Sequence, residues 1–350
     1  MEQGLARRGS THRLMRWLWT SRRLDARLAR LALLPAAGLW RISTAARTAA
    51  IRRGQGAPSG SPVPIISFAN LTLGDSGKGP VLGWAARHLA ATGAEPGVVL
   101  SSRSPWARAA LEHAVPAVRV TSESSPREGV SHLAEAGARV ALVDADLPAR
   151  EPAPQLRVIV LGAETSRAVR WPVPAGPWRA PWSSLRDADA IVITRKRASR
   201  EAADALAVDV AATTSAPVAI AHLGVRHFET LVSGVEQPAA ALAGRRVVAA
   251  SGSADPGAFV SHIKATGAAV QVATWEAAGD LRDEDVAWLA HAARRADFVV
   301  ISELDAVKLR DRWPARVAEP LVAVLDLTWE SGGEALAAAL DAVVAPAVTG

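Results

Sequence analysis

The chain has no cysteine and no tyrosine, and only four of its 40 basic residues are lysine. The absence of cysteine excludes disulfides, thiolate metal sites and cysteine nucleophiles. The chain also contains no run of about 18 uninterrupted apolar residues, so a membrane-spanning helix is not expected. Hydrophobic residues make up 49% of its 350 residues and charged residues 21%, which excludes wholesale disorder because packed cores can offset the entropy of ordering. At about 150 residues per domain, this length predicts two domains.

Positive charge is concentrated in the first 55 residues. They contain twelve arginines against Glu2 and Asp25, a net charge of +10, whereas the whole chain carries +6. The rest of the chain is therefore net acidic. A nucleic-acid-binding domain presents its basic residues on a folded surface, so this distribution predicts no nucleic-acid partner.

The basic segment also has the pattern of an amphipathic helix. Its apolar residues at helical spacing are Leu14, Trp17, Leu24, Leu28 and Leu31. A helix with one apolar face, many arginines and several tryptophans is suited to a membrane interface with anionic headgroups. Pro35 is expected to kink or divide it. We predict an N-terminal membrane-interface helix; the alternatives are a core-packing helix, a cleaved targeting peptide and a nucleic-acid arm.

After a linker rich in glycine, proline and serine at residues 54–62, short apolar runs alternate with amphipathic stretches. Strands are predicted at residues 63–68, 97–101, 138–143, 157–161, 190–194, 246–250, 269–273, 298–302 and 322–327. Helices are predicted at residues 81–92, 283–295 and 333–344. This alternation is typical of an α/β fold with mainly parallel sheets.

A glycine-rich turn with one lysine follows the first predicted strand and precedes a predicted helix. In a P-loop of this kind, backbone N–H groups and the helix N-terminus bind phosphates, and the lysine reaches the β- and γ-phosphate oxygens. The strict pattern is G-x-x-x-x-G-K-[ST]. Gly77 and Lys78 match it, whereas Thr72 stands at its first position and Gly79 at its last.

Five segments, taken together, resemble one family. Residues 64–80 read P-I-I-S-F-A-N-L-T-L-G-D-S-G-K-G-P and are similar to V-x-G-N-L-T-V-G-G-T-G-K-T-P, where a threonine also takes the place of the first glycine. Residues 98–103, 174–179, 242–252 and 302–309 are similar, in order, to V-x-L-S-R-G-Y, L-P-A-G-P-L-R-E, G-K-x-V-x-A-x-A-G and T-E-K-D-A-V-K-L. From about residue 30 to residue 330, the chain thus resembles the tetraacyldisaccharide 4'-kinases of lipid A biosynthesis.

The resemblance implies a peripheral membrane kinase at the cytoplasmic face of the inner membrane. Such an enzyme uses ATP and Mg²⁺ to phosphorylate the 4'-hydroxyl of a tetraacyldisaccharide 1-phosphate lipid. The implied nucleotide-binding residues are Thr72, Leu73, Gly74, Asp75, Ser76, Gly77, Lys78 and Gly79. The implied catalytic residues are Lys78, Asp144 and Asp146, and Asp144 is also the implied metal ligand.

These inferences predict a domain organisation. A basic amphipathic arm is expected over residues 1–55, and a P-loop core domain with a mainly parallel sheet over residues 56–152. A second α/β domain is expected over residues 153–327, and a C-terminal helix over residues 328–350 returns to the core.

Two departures from the family pattern fall in the phosphate loop. Gly79 replaces a threonine whose hydroxyl binds Mg²⁺ in the family. Asp75 replaces a glycine and puts a carboxylate beside the expected phosphates. At 4 Å two like charges repel by about 1 kcal/mol in water and about 4 kcal/mol at an effective dielectric constant of 20. Nucleotide binding should therefore weaken unless Asp75 points away.

Other family motifs lose single residues. Ala145 replaces the second aspartate of D-D-G-F-Q-H, and Leu304 replaces the lysine of T-E-K-D. Residues 274–279 lack the histidine of D-H-H, and residues 121–126 keep only Glu123 near the place of the acidic G-D-E-P motif. Because such groups act as a unit, two hypotheses follow. The chain is a kinase whose missing groups come from elsewhere, or a pseudokinase that binds nucleotide or lipid as a regulator or scaffold.

Three further groups have alternative interpretations. Glu303 and Asp305 are retained from T-E-K-D and belong to an exposed turn, a helix N-cap or a functional site. The sequence Arg195-Lys196-Arg197 is expected to be a solvated strand exit or to contact lipid phosphate. Around residues 174–179 stand Trp171, Trp178 and Trp182, which are expected to line a lipid-facing surface or to pack in the core.

Overall fold

The computed structural model describes most of the chain. The described residues are 17–19, 21, 23–52, 60–73, 76–101, 105–123, 125–145, 147, 153–166, 170–252, 256–275 and 281–348. Within them the helices are α1 Leu24–Ala32, α2 Leu34–Arg52, α3 Lys78–Ala91, α4 Pro105–Ala114, α5 Pro126–Glu135, α6 Ala163–Ser166, α7 Arg200–Ala211, α8 Pro256–Ala265, α9 Asp283–Ala293, α10 Glu303–Leu309 and α11 Gly333–Val348. The strands are β1 Ile65–Asn70, β2 Pro96–Leu100, β3 Arg119–Ser122, β4 Val140–Asp144, β5 Leu156–Gly162, β6 Ala190–Arg195, β7 Val218–Thr230, β8 Glu236–Gln237, β9 Arg246–Ser251, β10 Ala269–Thr274, β11 Phe298–Ser302 and β12 Leu321–Ser331.

The described chain forms two compact units. The core unit comprises Arg16–His222 and Leu327–Gly350, and the second unit comprises Leu223–Asp326. The chain passes between them inside β7 and β12. The sequence predicted a boundary after residue 152, whereas β5 and β6 lie in the core unit. They do so because β5 pairs in parallel with β1.

The sheet of the core unit is parallel and runs in the order β3-β2-β4-β1-β5-β6-β7. Its central strand β1 is buried along its whole length. That burial explains the nearly continuous apolar run in the sequence, since a parallel strand is covered on both faces. The register of β1 and β4 pairs Phe68 with Asp144, so both strands end at the same edge.

The second unit has its own parallel strands in the order β10-β9-β11-β12. The short strand β8 pairs antiparallel with β7, which brings Phe228 opposite Gln237. Strands β3, β7 and β8 were not predicted. In β7 the apolar run is interrupted by His222, Arg226 and His227. This strand therefore lacks the continuous apolar pattern by which the other parallel strands were predicted.

Within residues 23–52 the N-terminal arm contains two helices, in line with the expectation that Pro35 kinks or divides it. α1 and α2 are separated at Leu33, and Pro35 lies in the first turn of α2, where its missing N–H group leaves no helical bond unmade. The buried positions of α1 are Ala26 and Arg30, and the predicted apolar face is exposed, with Leu24 74% and Leu28 60% accessible. Leu14 lies outside the described residues. None of the helices in the described part of the chain is long and apolar enough to cross a bilayer.

The C-terminal helix α11 packs against α3, the helix that follows the glycine-rich turn. His88 on α3 lies with Nε2 2.9 Å from Asp341 Oδ1 on α11. Next to this pair, Trp84 meets Trp329 edge-on, with ring centroids 4.8 Å apart. The C-terminal helix therefore supports α3 from the side.

Gly332 joins β12 to α11 and generates a stability prediction. Its φ is +72°, and an added Cβ would lie 2.6 Å from the Val218 carbonyl oxygen. Gly332→Ala should destabilise the core unit by roughly 1–2 kcal/mol from the left-handed backbone and a further 1–3 kcal/mol or so from overpacking. The measurement is the thermal unfolding midpoint.

The matched control is Gly93→Ala, because Gly93 has φ +78° but open space around an added Cβ. It should lose only the backbone contribution. Equal losses for the two variants would contradict the packing argument at Gly332.

Candidate phosphate-binding site

The glycine-rich turn links the end of β1 to the start of α3. Gly77 is the N-cap of α3 and has φ +77°, a backbone conformation that glycine adopts at little cost. Inside the turn, the Asn70 amide Nδ2 donates to the Thr72 carbonyl at 2.9 Å and to Ser76 Oγ at 3.3 Å. The turn is thus organised from within by the last side chain of β1. Gly74 and Asp75 lie outside the described residues.

A second strand supports the turn from the neighbouring side of the sheet. Thr194, near the end of β6, is buried and donates its hydroxyl to the Ser76 carbonyl at 2.6 Å. Sequence reasoning did not assign a role to Thr194. The only signal was its position at the carboxyl end of a predicted strand, the edge at which α/β sheets bind ligands.

Lys78 and Asp144 come together at this edge. Lys78 is the first residue of α3, and its Nζ lies 2.5 Å from Oδ1 of Asp144, the last residue of β4. The same ammonium group donates to the Ala145 carbonyl at 3.0 Å. The Ser101 hydroxyl donates to Asp144 Oδ2 at 3.0 Å. Asp144 is therefore held by a cation on one oxygen and a hydroxyl on the other.

The remaining predicted site residues have different positions. Leu73 uses its backbone N–H in a hydrogen bond to the Pro177 carbonyl at 2.7 Å. Gly79 is exposed, and nothing lies within 4 Å of a Cβ built on it. Asp146 lies outside the described residues. The Glu123 carboxylate contacts the His132 ring at 3.3 Å.

Glu303 and Asp305 lie in the second unit, and Asp305 is fully buried. Its carboxylate accepts hydrogen bonds from the Gly252 N–H at 3.0 Å and from Trp275 Nε1 at 3.1 Å, with Lys308 Nζ 4.0 Å away. Burial raises the pKa of Asp305 above its ordinary value, although these neighbours act to lower it. The N-cap of α10 is Ser302. Asp305 therefore lies in the interior of this unit, where it accepts hydrogen bonds from its neighbours, and not in an exposed turn.

The basic exit of β6 is solvated only in part, because Arg197 is exposed as predicted whereas Arg195 is paired with Glu330. Arg195 Nε donates to Glu330 Oε2 at 2.9 Å, and this bond holds the pKa of the Glu330 carboxyl below its ordinary value. Glu164 accepts hydrogen bonds from the backbone N–H groups of residues 196–198 at 2.6 to 3.0 Å. Burial acts to raise the pKa of Glu164, but these N–H groups lower it below its ordinary value. Both carboxylates stabilise the positive charge of Arg195.

Metal binding at the site depends on few protein groups. Across the described ranges there is no cluster of three or more His, Asp or Glu side chains able to hold a metal ion. Mg²⁺ in kinases is commonly bound by one or two carboxylates together with substrate phosphates and water. The Asp144 carboxylate, with the Ser101 hydroxyl beside it, fits that smaller requirement.

A parallel strand, a glycine-rich loop and a helix that begins with lysine, together with a carboxylate on the adjacent strand, define a P-loop kinase fold. Residues 29–104 and 107–345 match the family model LpxK, Tetraacyldisaccharide-1-P 4'-kinase. The chain belongs to this family, whose members are kinases of lipid A biosynthesis. The match confirms the family that the sequence motifs indicated.

Individual relatives agree with the family match. The chain is 32% identical over 347 residues to a tetraacyldisaccharide 4'-kinase of Anaeromyxobacter sp. (strain Fw109-5), covering 89% of this chain and 91% of the relative. It is 29% identical over 306 residues to one of Xanthomonas oryzae pv. oryzae, covering 77% and 81%. The crystal structure of LpxK from Aquifex aeolicus in complex with ATP has a TM-score of 0.69 at 18% identity, covering 90% of this chain and 99% of that one. This structural likeness confirms the α/β fold.

The Thr194 hydrogen bond generates a prediction about the phosphate loop. Thr194→Val keeps the shape of the side chain but leaves the buried Ser76 carbonyl without this donor. We expect a loss of about 1–3 kcal/mol in stability, the usual cost of a buried group left unsatisfied. Chemical denaturation measures it. Thr194→Ser retains the hydroxyl and should lose less; a larger loss for the serine variant would contradict this role.

Proposed function

We propose that this chain phosphorylates the 4'-hydroxyl of a tetraacyldisaccharide 1-phosphate with ATP. In this reaction the 4'-hydroxyl oxygen bonds to the γ-phosphorus, and the bond from that phosphorus to the bridging oxygen of ADP breaks. The hydroxyl proton passes to a carboxylate base. Membership of the family supports this substrate. The observation in this chain that supports phosphoryl transfer is the Lys78–Asp144 pair.

Lys78 is proposed as the group that neutralises the β- and γ-phosphate oxygens. Its ammonium group now pairs with Asp144 and the Ala145 carbonyl. Arrival of phosphates would offer this cation stronger anionic partners. Residues 72–79 would surround the phosphates with the N–H groups of the turn and the N-terminus of α3, a position where a helix favours anions. The Leu73 N–H already has a backbone partner, so it stays structural.

Asp144 is proposed as the ligand of Mg²⁺. A bound Mg²⁺ ion neutralises charge that develops on the transferred phosphoryl group. Ser101 orients the Asp144 carboxylate through Oδ2, so that Oδ1 is presented to the edge where Lys78 lies. Asp146 follows two residues later and is proposed as the carboxylate that accepts the hydroxyl proton.

The departures from the family pattern bear on rate more than on the kind of reaction. Gly79 and Ala145 each remove one group that would contact the metal or phosphates, and losing one transition-state contact typically costs about 10²–10³ in rate. The Lys78–Asp144 pair and the supporting Asn70 and Thr194 bonds are retained. These features favour a slow kinase over a pseudokinase.

The first test is ATP-dependent phosphorylation of a tetraacyldisaccharide 1-phosphate in mixed micelles. We expect Lys78→Ala to lower the rate by about 10²–10³ because it removes a charge that stabilises the transition state. Radiolabel transferred from γ-labelled ATP to lipid measures the rate.

Lys264→Ala is the matched control, since Lys264 is an exposed lysine of α8 in the second unit. It should keep the wild-type rate. If the folded wild-type chain transfers no more label than Lys78→Ala, the pseudokinase hypothesis replaces this proposal.

We further propose that α1 and α2 attach the chain peripherally to the cytoplasmic face of the inner membrane. The large apolar side chains exposed on them are Leu24, Leu28, Leu31, Leu34, Leu39, Trp40 and Ile42. Arg27 and Arg41 are exposed on the same helices, and the exposed Arg23 is the N-cap of α1. An apolar surface bordered by arginines is complementary to an anionic lipid surface.

Vesicle co-sedimentation tests this attachment. Leu28→Glu should weaken binding to vesicles that contain phosphatidylglycerol by about tenfold or more, because burying a leucine side chain contributes about 1.5–3 kcal/mol. Val208→Glu is the matched control, as Val208 is 70% exposed on α7, outside the arm. Equal effects of the two substitutions would argue against the arm as the membrane contact.

A further inference from the structure

The segment Trp171–Ala180, here called the clamp segment, binds the beginning of the phosphate loop. The Arg179 N–H donates to the Leu71 carbonyl at 2.8 Å, and the Leu73 N–H donates to the Pro177 carbonyl at 2.7 Å. Between these bonds, Thr72 pairs with Trp178 in an antiparallel bridge. Three consecutive residues after β1 are thus fixed to the clamp segment by backbone contacts.

The clamp segment is itself closed by internal hydrogen bonds. The Val173 N–H donates to the Trp178 carbonyl at 3.0 Å, and the Gly176 N–H donates to the Pro172 carbonyl at 2.9 Å. Gly176 packs so closely that an added Cβ would lie 2.3 Å from the Trp171 carbonyl oxygen. Trp178 is buried in the same cluster as Leu71. A displacement at one side of such a tightly bonded turn is passed to its other side.

The N-terminal arm contacts the same clamp segment. Trp19 Nε1 donates to the Pro174 carbonyl at 3.0 Å, and Trp40 Nε1 donates to the Arg179 carbonyl at 3.4 Å. The Arg30 guanidinium lies 6.0 Å from the centre of the Trp171 ring and donates to the Ser21 carbonyl at 2.8 Å. Arg179 therefore bonds Trp40 through its carbonyl and the phosphate loop through its N–H.

We propose that the clamp segment couples lipid binding by the arm to nucleotide binding by the phosphate loop, with Trp19 as the positioning residue. This inference rests on the proposed function, since it requires a nucleotide in the loop and a lipid surface against α1 and α2. A lipid surface that orders the arm holds the clamp segment, and with it residues 71–73, in one conformation. Coupling between two binding sites is reciprocal, so bound nucleotide strengthens lipid binding by the same factor.

The experiment measures both directions of the coupling on the full chain. ATP is titrated calorimetrically with and without phosphatidylcholine vesicles that contain a minor fraction of phosphatidylglycerol. Vesicle co-sedimentation is then measured with and without saturating ATP. We expect the vesicles to lower the ATP Kd about fivefold or more, the lower end of typical coupling, and ATP to tighten vesicle binding equally. Vesicles of phosphatidylcholine alone should give a smaller effect.

The variant that isolates the clamp carries Trp19→Phe alone, because Trp40 also belongs to the exposed apolar surface of the arm. It keeps an aromatic ring and removes the indole N–H donor to the Pro174 carbonyl. We expect each ligand alone to bind as it does to the wild type, while the coupling factor falls towards one. Trp313→Phe is the matched control, because it removes an indole N–H bond to the Val317 carbonyl in the second unit. It should retain the wild-type coupling.

The outcomes separate this inference from the proposed function. A wild-type chain that binds ATP and vesicles with a coupling factor of one overturns the coupling alone, whatever the variants do. Full coupling in the folded Trp19→Phe variant overturns the role of Trp19 and of the Pro174 carbonyl. Absence of ATP binding with and without vesicles overturns the coupling and the proposed nucleotide site together.

Discussion

The parallel pairing of β1 with β4 determines where the charges of the phosphate site lie. Its register sets Phe68 beside Asp144, and the turn after β1 returns the chain at Lys78 within 2.5 Å of that carboxylate. Both side chains are mostly buried, so each would be a poorly solvated charge without the other. Removing one member of such a pair costs more than the pair contributes. A one-residue slip of β1 would move the loop, its lysine and the helix together.

Local sequence patterns predicted the parts of the fold that local physics controls. Strands β1, β4, β5 and β6 are largely apolar runs, and their predicted positions agree with the structure to within two residues. The domain boundary was harder to predict, because no local pattern within residues 153–195 indicates that β5 pairs with β1. That pairing joins residues about 90 positions apart, such as Ile66 and Leu156. Neighbour relations of this range follow from packing of the whole sheet.

The site shows the same division. The motif spacing predicted that Lys78 follows the loop, and the family resemblance implied Asp144 as a site residue, but neither predicted the contact between them. Ser101 and Thr194 were missed as site residues because their roles come from contacts with residues 43 and 118 positions away. Asp305 was expected in an exposed turn, N-cap or functional site, but Trp275 and Gly252 from two other strand ends enclose it. A charged residue in a short motif does not reveal its own burial.

The order of the units along the chain has a consequence for synthesis. Among the described residues the second unit is one continuous stretch, whereas the core unit is completed only when residues 327–348 have been made. At roughly 5–20 residues per second, the second unit separates the two parts of the core by about 5–20 s on the ribosome. During that interval α3 lacks its packing contacts with α11, including the contact between His88 and Asp341. Helix α3 is thus synthesised early, but its packing partner α11 is the last helix to be made.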